Sequence, residues 1–400
     1  MKNFFAAKII LMVLLFTSVD GIAMDDAVRQ EKLTRFLSAL VSMNTTTADK
    51  SANEKALRWV EEELKAFPLH FKSYDFDGFH SLVITTRKTK NPKVFLVSHM
   101  DVVPGSENLF HPVIKDGKMY ARGAYDMKMA IACYLLLMHE LKDQLKDLDI
   151  GIMLTTDEEI GGTNGVKRLM DEGYASTIAL LPDGGFDWKF EEAAKGAIQV
   201  KLTSSGTSAH GSRPWLGENA IYKLMLVLMQ INDHFEKEKT KYAADYYPTM
   251  NIGFFEGGKS ANQVPDFAEA LLDIRFPPPI SSEQIFASLQ EMAKKHPRIT
   301  VDKLIEATPH QEDIRGEPFL KFKELAKSLY GIDVGSVHSH GASDARFFSE
   351  KQIPVIVIAP KGGEIHSDDE WIDLADLARF YGVMKAWVLE MNSELPKKSS

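Results

Sequence analysis

The sequence predicts an α/β fold: a mainly parallel sheet flanked by helices, interrupted by an inserted ferredoxin-like α+β layer. Three observations carry this. From residue 28 to about residue 182, short continuous apolar runs alternate with stretches of helical period, the pattern of strands buried on both faces. Between 197 and 306 the strands become alternating and follow the order strand, helix, strand, strand, helix, strand. After about residue 309 the first pattern returns. At 400 residues the chain is also too long for a single core. The expected division is an N-terminal segment over 1–23, the main domain over 24–196 and 309–400, and the insertion over 197–308.

The elements follow in order. Val28, Leu33, Phe36, Leu37, Leu40 and Val41 fall at helical spacing. Ser51-Ala52-Asn53-Glu54 reads as a capping box opening a second helix, with Leu57, Val60, Leu64 and Phe67 on one face. SLVITT (81–86) and KVFLVS (93–98) read as strands, followed by a long helix over about 127–145. IGIMLTT (150–156) is a strand, 165–172 a short helix and TIALLP (177–182) a strand. In the insertion, AIQVKLTSS (197–205) alternates, 219–235 is a striped helix, and strands lie near 249–255 and 267–276. Pro277-Pro278-Pro279 stops the last of these. A helix over about 282–295 and a strand over about 298–306 complete the layer. A helix at 318–329, the strand PVIVIA (354–359) and a final helix at 374–391 restore the α/β pattern, and 397–400 reads as a solvated tail.

The first 23 residues have a different character. Lys2 and Lys8 precede the unbroken apolar run Ile9–Phe16, and Gly21-Ile22-Ala23 offers small residues for cleavage. The expectation is a cleaved signal peptide and an exported protein, periplasmic or secreted. The run is too short for a stable membrane anchor. The net charge of −9 argues against a nucleic-acid partner, which requires a basic footprint. Cys133 is the single cysteine, so neither an intrachain disulfide nor a cysteine-built zinc site is available. Any metal must be held by His, Asp and Glu.

In an open α/β sheet, ligands bind at the carboxyl ends of the strands. His99 and Asp101 follow KVFLVS, Asp157-Glu158-Glu159 follow IGIMLTT, Asp183 follows TIALLP, and His366 follows PVIVIA past a short glycine loop. Asp126 stands just before the long helix. Two imidazoles, two separate carboxylates and one shared carboxylate suit a pair of divalent cations about 3.5–4 Å apart. Asp101, two residues beyond His99, fits a carboxylate that holds the imidazole in one tautomer. Of the adjacent Glu158 and Glu159, one can ligate while the other serves as general base toward water. A different pattern, Gly253 to Ser260, fits the phosphate-loop spacing GxxxxGK[ST]. Pro265 and a strand follow where a phosphate loop needs a helix N-terminus, so nucleotide binding is rejected.

In combination these motifs resemble the two-zinc amidohydrolase and exopeptidase family that includes glutamate carboxypeptidase, acetylornithine deacetylase, succinyl-diaminopimelate desuccinylase, aminoacylase and several dipeptidases. The resemblance rests on SHMDVVP (98–104), RGAYDMK (122–128), TTDEEIGGTNG (155–165), GTSAHGSRPWLGENAI (206–221) and GGEIHSDDEWI (362–372). It implies a zinc-exopeptidase-type sheet, with the insertion serving as a dimerisation or lid domain. Asp126 then bridges two divalent ions, zinc first with cobalt or manganese as alternatives. His99 and Asp183 complete one site, and Glu159 and His366 the other. Glu158 is the base and Asp101 supports His99. The Asp126–Met127 peptide is expected to be cis. His210 reaches across a homodimer to the oxyanion, while Asn262, Arg275 and the Gly341 loop bind substrate, Asn262 and Arg275 gripping its carboxylate. The implied activity is exopeptidase hydrolysis of a small peptide near a free carboxylate. The alternatives are hydrolysis of an N-acyl amino acid by a deacylase and, more remotely, an inactive carboxylate-binding protein.

Overall fold

The computed structural model describes residues 26–242 and 245–393. The N-terminal segment 1–23 and the tail 397–400 lie outside the described residues. The chain divides into two compact units. Among the described residues, one takes in 26–191, Asp313–Ser336 and 350–393; the other comprises Glu192–Glu312 and Val337–Ser349.

The first unit is built on a six-stranded sheet. In spatial order its strands are His70–Phe76, Phe79–Thr85, Ile150–Thr155, Val94–His99, Ile178–Leu181 and Val355–Val357. The last four run parallel, with Val94 to His99 opposite Ile150 to Thr155 and Val355 opposite Ala179. The first two form an antiparallel hairpin on one edge. Every residue of Val94–His99 and Ile150–Thr155 is buried, which is why these segments read as unbroken apolar runs. The outer hairpin strand His70–Phe76 is largely exposed and mixes Lys, Ser and Asp with aromatics, so no sequence period marks it.

Helix Lys128–Glu140 is buried from Lys128 through Met138, as expected of a helix apolar on all sides. It stops sooner than the sequence predicts: 142–144 and 146–147 are polar, only Leu145 between them is buried, and the chain there makes turns and a short 3₁₀ segment. Two further details differ. Val28 is exposed while Leu33, Phe36, Leu37, Leu40 and Val41 are buried, so the stripe on the helix over 26–41 starts at Leu33. Helix Lys50–Leu64 is capped by Asp49, whose carboxylate accepts the Ala52 N–H at 2.9 Å, rather than by a box at Ser51. Among the described residues no helix is long and apolar enough to cross a membrane.

The second unit carries a four-stranded sheet in the order Thr249–Gly257, Phe267–Phe276, Gly196–Ser205, Ile299–Ala307, with every neighbouring pair antiparallel. With helices Ala220–Lys239 and Ser282–Lys294 this is the ferredoxin-like arrangement. Inward residues of the central strands (Ile198, Val200, Leu202, Ala270, Leu272, Ile274) meet Leu224, Val227, Ile231 and Leu289 of the helices. Fully burying each larger aliphatic side chain contributes roughly 1.5–3 kcal/mol. Ser281 and Gln284 form a reciprocal capping box on the second helix. Gly253 to Gly257 lies inside a strand of a hairpin, so the phosphate-loop lookalike opens into no helix. Residues 337–349, which the sequence reading left with the returning main domain, group with this unit.

Candidate metal centre

The four parallel strands bring their carboxyl ends to one edge of the first unit's sheet, and the ligand-type residues stand there. His99 is the last residue of its strand. The strand ending at Thr155 leads into a 3₁₀ turn, Glu158–Ile160. The strand ending at Leu181 leads to Asp183 through a loop that needs Gly185: its φ is +58°, and a Cβ there would lie 2.1 Å from the Lys189 carbonyl oxygen. Asp126 closes the turn before helix Lys128–Glu140, and the Asp126–Met127 peptide is cis.

Two triads form. Ligand atoms of His99, Asp126 and Asp183 lie within 4.8 Å of one another, as do those of Asp126, Glu159 and His366. Asp126 belongs to both and turns one oxygen to each side. Its Oδ1 is 3.1 Å from His99 Nε2 and its Oδ2 3.1 Å from His366 Nε2, which also lies 3.1 Å from Glu159 Oε2. His99 is buried, while His366 is 53% exposed and forms the open side of the cluster. The set is nitrogen and oxygen only, which suits zinc, cobalt or manganese, and three protein ligands per triad leave a coordination position free.

Electrostatics independently indicate cations. Burial pushes the Asp183 carboxyl up to about 7, with the charge of Asp126 adding to it. Hydrogen bonds to Asp126 and Glu159 hold His366 up to about 10 against the opposing effect of burial. Burial disfavours charge on His99, yet its bonds to Asp101 and Asp126 prevail and raise its pKa well above the usual value. Burial likewise works against ionised Asp126, but the two histidines win and hold it below the usual carboxylate range. Without cations, protons must neutralise this cluster. The residues present therefore fit a pair of divalent ions.

The surroundings fix the ligands. His99 Nδ1 donates to the Asp101 carbonyl oxygen at 2.9 Å, leaving Nε2 free to ligate. The Asp101 carboxylate, expected to support the imidazole, stands 3.5 Å from Nδ1, and it also accepts from the Thr47 hydroxyl at 2.8 Å and from the Glu158 and Glu159 N–H groups at 3.3 Å. It therefore holds the turn that carries Glu158, itself half-buried, and Glu159.

The profile of Peptidase family M20/M25/M40 matches residues 95–390. The chain belongs to this family. It is a hydrolase of the metallopeptidase and amidohydrolase kind, as the motif resemblance implied. Succinyl-diaminopimelate desuccinylase of Rickettsia rickettsii (strain Sheila Smith) is 26% identical over 382 residues, covering 89% of this chain and 99% of that protein. A tripeptidase from Staphylococcus aureus shares the fold with a TM-score of 0.74 at 22% identity, over 91% of this chain and 99% of that one. An M20 family metallo-carboxypeptidase from Sulfolobus solfataricus does so with a TM-score of 0.73 at 19% identity, over 90% and 99%.

The remaining predicted site residues of this M20-family chain lie in the second unit. His210 and Asn262 are neighbours there: the Gly211 N–H donates to the Asn262 carbonyl at 2.6 Å, and His210 pairs with Gln263 in a β-bridge. His210 is exposed, with its Nδ1 2.8 Å from the Ser212 hydroxyl. Arg275 forms a two-pronged pair with Asp273, at 2.7 and 3.0 Å. Gly341 is exposed, its N–H donating to the Ser339 hydroxyl. Residues the sequence reading passed over also shape the metal edge. Lys128, fully buried and lowered to about 7 by that burial, ties its Nζ to the carbonyls of Leu40 and Met43 at 3.1 and 2.8 Å. Glu370 and Arg122 sit inside two of the quoted motifs, but only the fold shows them paired, at 2.9 Å.

Proposed function

We propose that this chain is a two-cation exopeptidase that hydrolyses a peptide bond near a free carboxylate. The observation that carries the reading is the pair of ligand triads sharing Asp126. In this reading His99, Asp126 and Asp183 hold one ion, and Asp126, Glu159 and His366 the other, with zinc as the first candidate and cobalt or manganese as alternatives. Bound there, the ions supply Lewis acidity toward a carbonyl and acidify water. Glu158 takes the proton from the attacking water as the new C–O bond forms, and returns it to the amine nitrogen as the tetrahedral oxyanion collapses and the C–N bond breaks. Asp101 keeps Glu158 and Glu159 in register. Asn262 and Arg275 recognise the substrate carboxylate, Arg275 with the planar fork that suits it. Gly341 lines the binding loop, and His210 donates to the developing oxyanion from a partner copy.

The partner copy is the second part of the proposal. Thr249–Gly257 is an edge strand, and Ile252, Phe254 and Phe255 on it are exposed. Met225 and Met229 of helix Ala220–Lys239 line one apolar groove with Ile252 and Phe255. An open strand edge beside an apolar patch is suited to pairing with a second copy of itself.

Export, read from residues 1–23, favours peptides as substrates. The similarity to a desuccinylase over 89% of the chain favours a second reading, an N-acyl-amino-acid deacylase. A panel of dipeptides, tripeptides, N-succinyl and N-acetyl amino acids, assayed after chelation and after readdition of zinc, cobalt or manganese, separates the two. Peptide cleavage restored by metal is the expected result. Cleavage confined to N-acyl amino acids selects the second reading, and full activity in the chelated protein overturns both.

A further inference from the structure

Glu370 lies four residues beyond His366, and its side chain is 1% exposed. Its carboxylate accepts four hydrogen bonds, all from the loop that ends in Asp126. Oε1 takes the N–H groups of Tyr125 and Asp126 at 2.9 and 3.0 Å. Oε2 takes the Gly123 N–H at 3.0 Å and the Arg122 guanidinium at 2.9 Å. The other terminal nitrogen of Arg122 donates to the His366 carbonyl oxygen at 3.3 Å. His366 needs such a restraint, because its φ of +63° is a left-handed conformation that a side-chain-bearing residue rarely adopts unaided.

We infer that Glu370 and Arg122 form a clamp that fixes the loops of Asp126 and His366 against each other, and so sets the geometry of the cation pair. The inference rests on the two-cation reading. Neither residue touches the ligand atoms; both are positioning residues. Glutamate has the right chemistry for the task, because one carboxylate offers about four lone-pair sites and here each meets a donor. Glutamine has the same shape but turns an NH₂ toward two of those donors. Lysine at position 122 keeps the charge but has one nitrogen, which cannot span Glu370 and the His366 carbonyl as the guanidinium does.

The test uses the full chain, stripped of metal and titrated with Co²⁺ against a chromophoric chelator, with the visible absorption of bound Co²⁺ reporting coordination geometry. Glu370→Gln and Arg122→Lys are each expected to weaken Co²⁺ binding by about 10–100-fold, the usual loss when a group orienting a ligand is changed, and to alter the spectrum. Asn392→Ala is the control for plain destabilisation. It removes the bond from the Asp149 N–H to Asn392 Oδ1 at 2.8 Å, at the far end of the same sheet, and is expected to keep wild-type affinity and spectrum. If Glu370→Gln does not fold, Arg122→Lys decides. Wild-type affinity and spectrum in a folded clamp variant would overturn the inference, as would an equal loss in Asn392→Ala. Failure of the unmutated chain to take up Co²⁺ would instead overturn the two-cation reading itself.

Discussion

Asp101→Asn isolates what one buried carboxylate does for the metal edge. The side chain is fully buried. Oδ1 accepts the Glu158 N–H and stands 3.5 Å from His99 Nδ1, while Oδ2 accepts the Glu159 N–H and the Thr47 hydroxyl. An amide keeps the shape and one acceptor. Turned one way, its NH₂ faces the Glu159 N–H; turned the other, it faces the Glu158 N–H. The Thr47 hydroxyl can rotate to accept, but a backbone N–H cannot. Either orientation therefore leaves one buried donor unpaired, at a cost of about 1–3 kcal/mol. For a domain of this size, each kcal/mol lowers Tm by roughly 2–4 °C. The same turn carries Glu159, so cation affinity is expected to fall by about 10–100-fold. The measurements are thermal melts of the chelated variant by circular dichroism and a Zn²⁺ competition titration. An unchanged Tm together with unchanged affinity would refute the assignment of Asp101 as the group holding the 158–159 turn.

Three further outcomes are expected. Glu158→Ala should lower kcat by about 10²–10⁴-fold, the range for a lost general base, while two metal equivalents remain by elemental analysis; full turnover contradicts the base assignment. In the metal-free protein, His366 (raised to about 10), His99 (raised) and Asp183 (raised to about 7) hold protons that the unfolded chain gives up at lower pH. Their stabilising effect is present at low pH and lost as pH rises, for Asp183 between about pH 4 and 7 and for the two histidines above about 6.5; Lys128, lowered to about 7, works the other way between about 7 and 10.5, but two histidines against one lysine leave the Tm of chelated protein falling between about pH 6.5 and 10, and a rising Tm over that window refutes the sign. Met229→Glu combined with Phe255→Glu, on the exposed face of helix Ala220–Lys239 and the edge strand, should convert the proposed dimer to monomer in sedimentation velocity; a dimer that persists places the interface elsewhere, and a monomeric unmutated chain overturns the proposed pairing.

The ligand residues were legible because burial leaves a mark that needs no partner. A strand covered on both faces reads as an apolar run, its carboxyl end is then known to a residue or two, and the open-sheet rule says where to look. That logic pointed to His99, the Glu158-Glu159 pair, Asp183 and His366 without any knowledge of which strands are neighbours; Asp126 stands before a helix instead, and the choice of Glu159 as the ligand came from the motif resemblance. It could not find the outer strand His70–Phe76, which is mostly exposed and carries no period. Nor could it place the cap of helix Lys50–Leu64, where Asp49 and Ser51 are both competent and the backbone chooses Asp49. The groups around the site were silent for a different reason. Glu370 acts by accepting hydrogen bonds from distant backbone and Lys128 by donating to carbonyls; Asp101 was legible beside His99, but not its grip on the 158–159 turn. A single polar letter does not reveal a partner that only the fold supplies.

Those groups also bear on why the centre calls for cations. Lys128 and Arg122 are buried basic groups close to the ligand loops, but their hydrogen bonds direct them away from the ligand carboxylates. The Lys128 ammonium is bound to the Leu40 and Met43 carbonyls, and the Arg122 guanidinium to Glu370 and the His366 carbonyl. The positive partners that Asp126 and Glu159 do have are imidazoles, His99 and His366. An imidazole can neutralise a carboxylate only while protonated, and a protonated ring nitrogen cannot ligate. The arrangement is thus self-consistent in two conditions, with protons on the histidines or with cations between them and the carboxylates. Passing from the first to the second must release protons, so cation uptake should strengthen as pH rises over the same window in which the chelated protein weakens. Calorimetric titration of Zn²⁺ in buffers of different ionisation enthalpy measures that release directly, and binding without it would mean that the histidines are neutral in the metal-free chain and that another group balances Asp126.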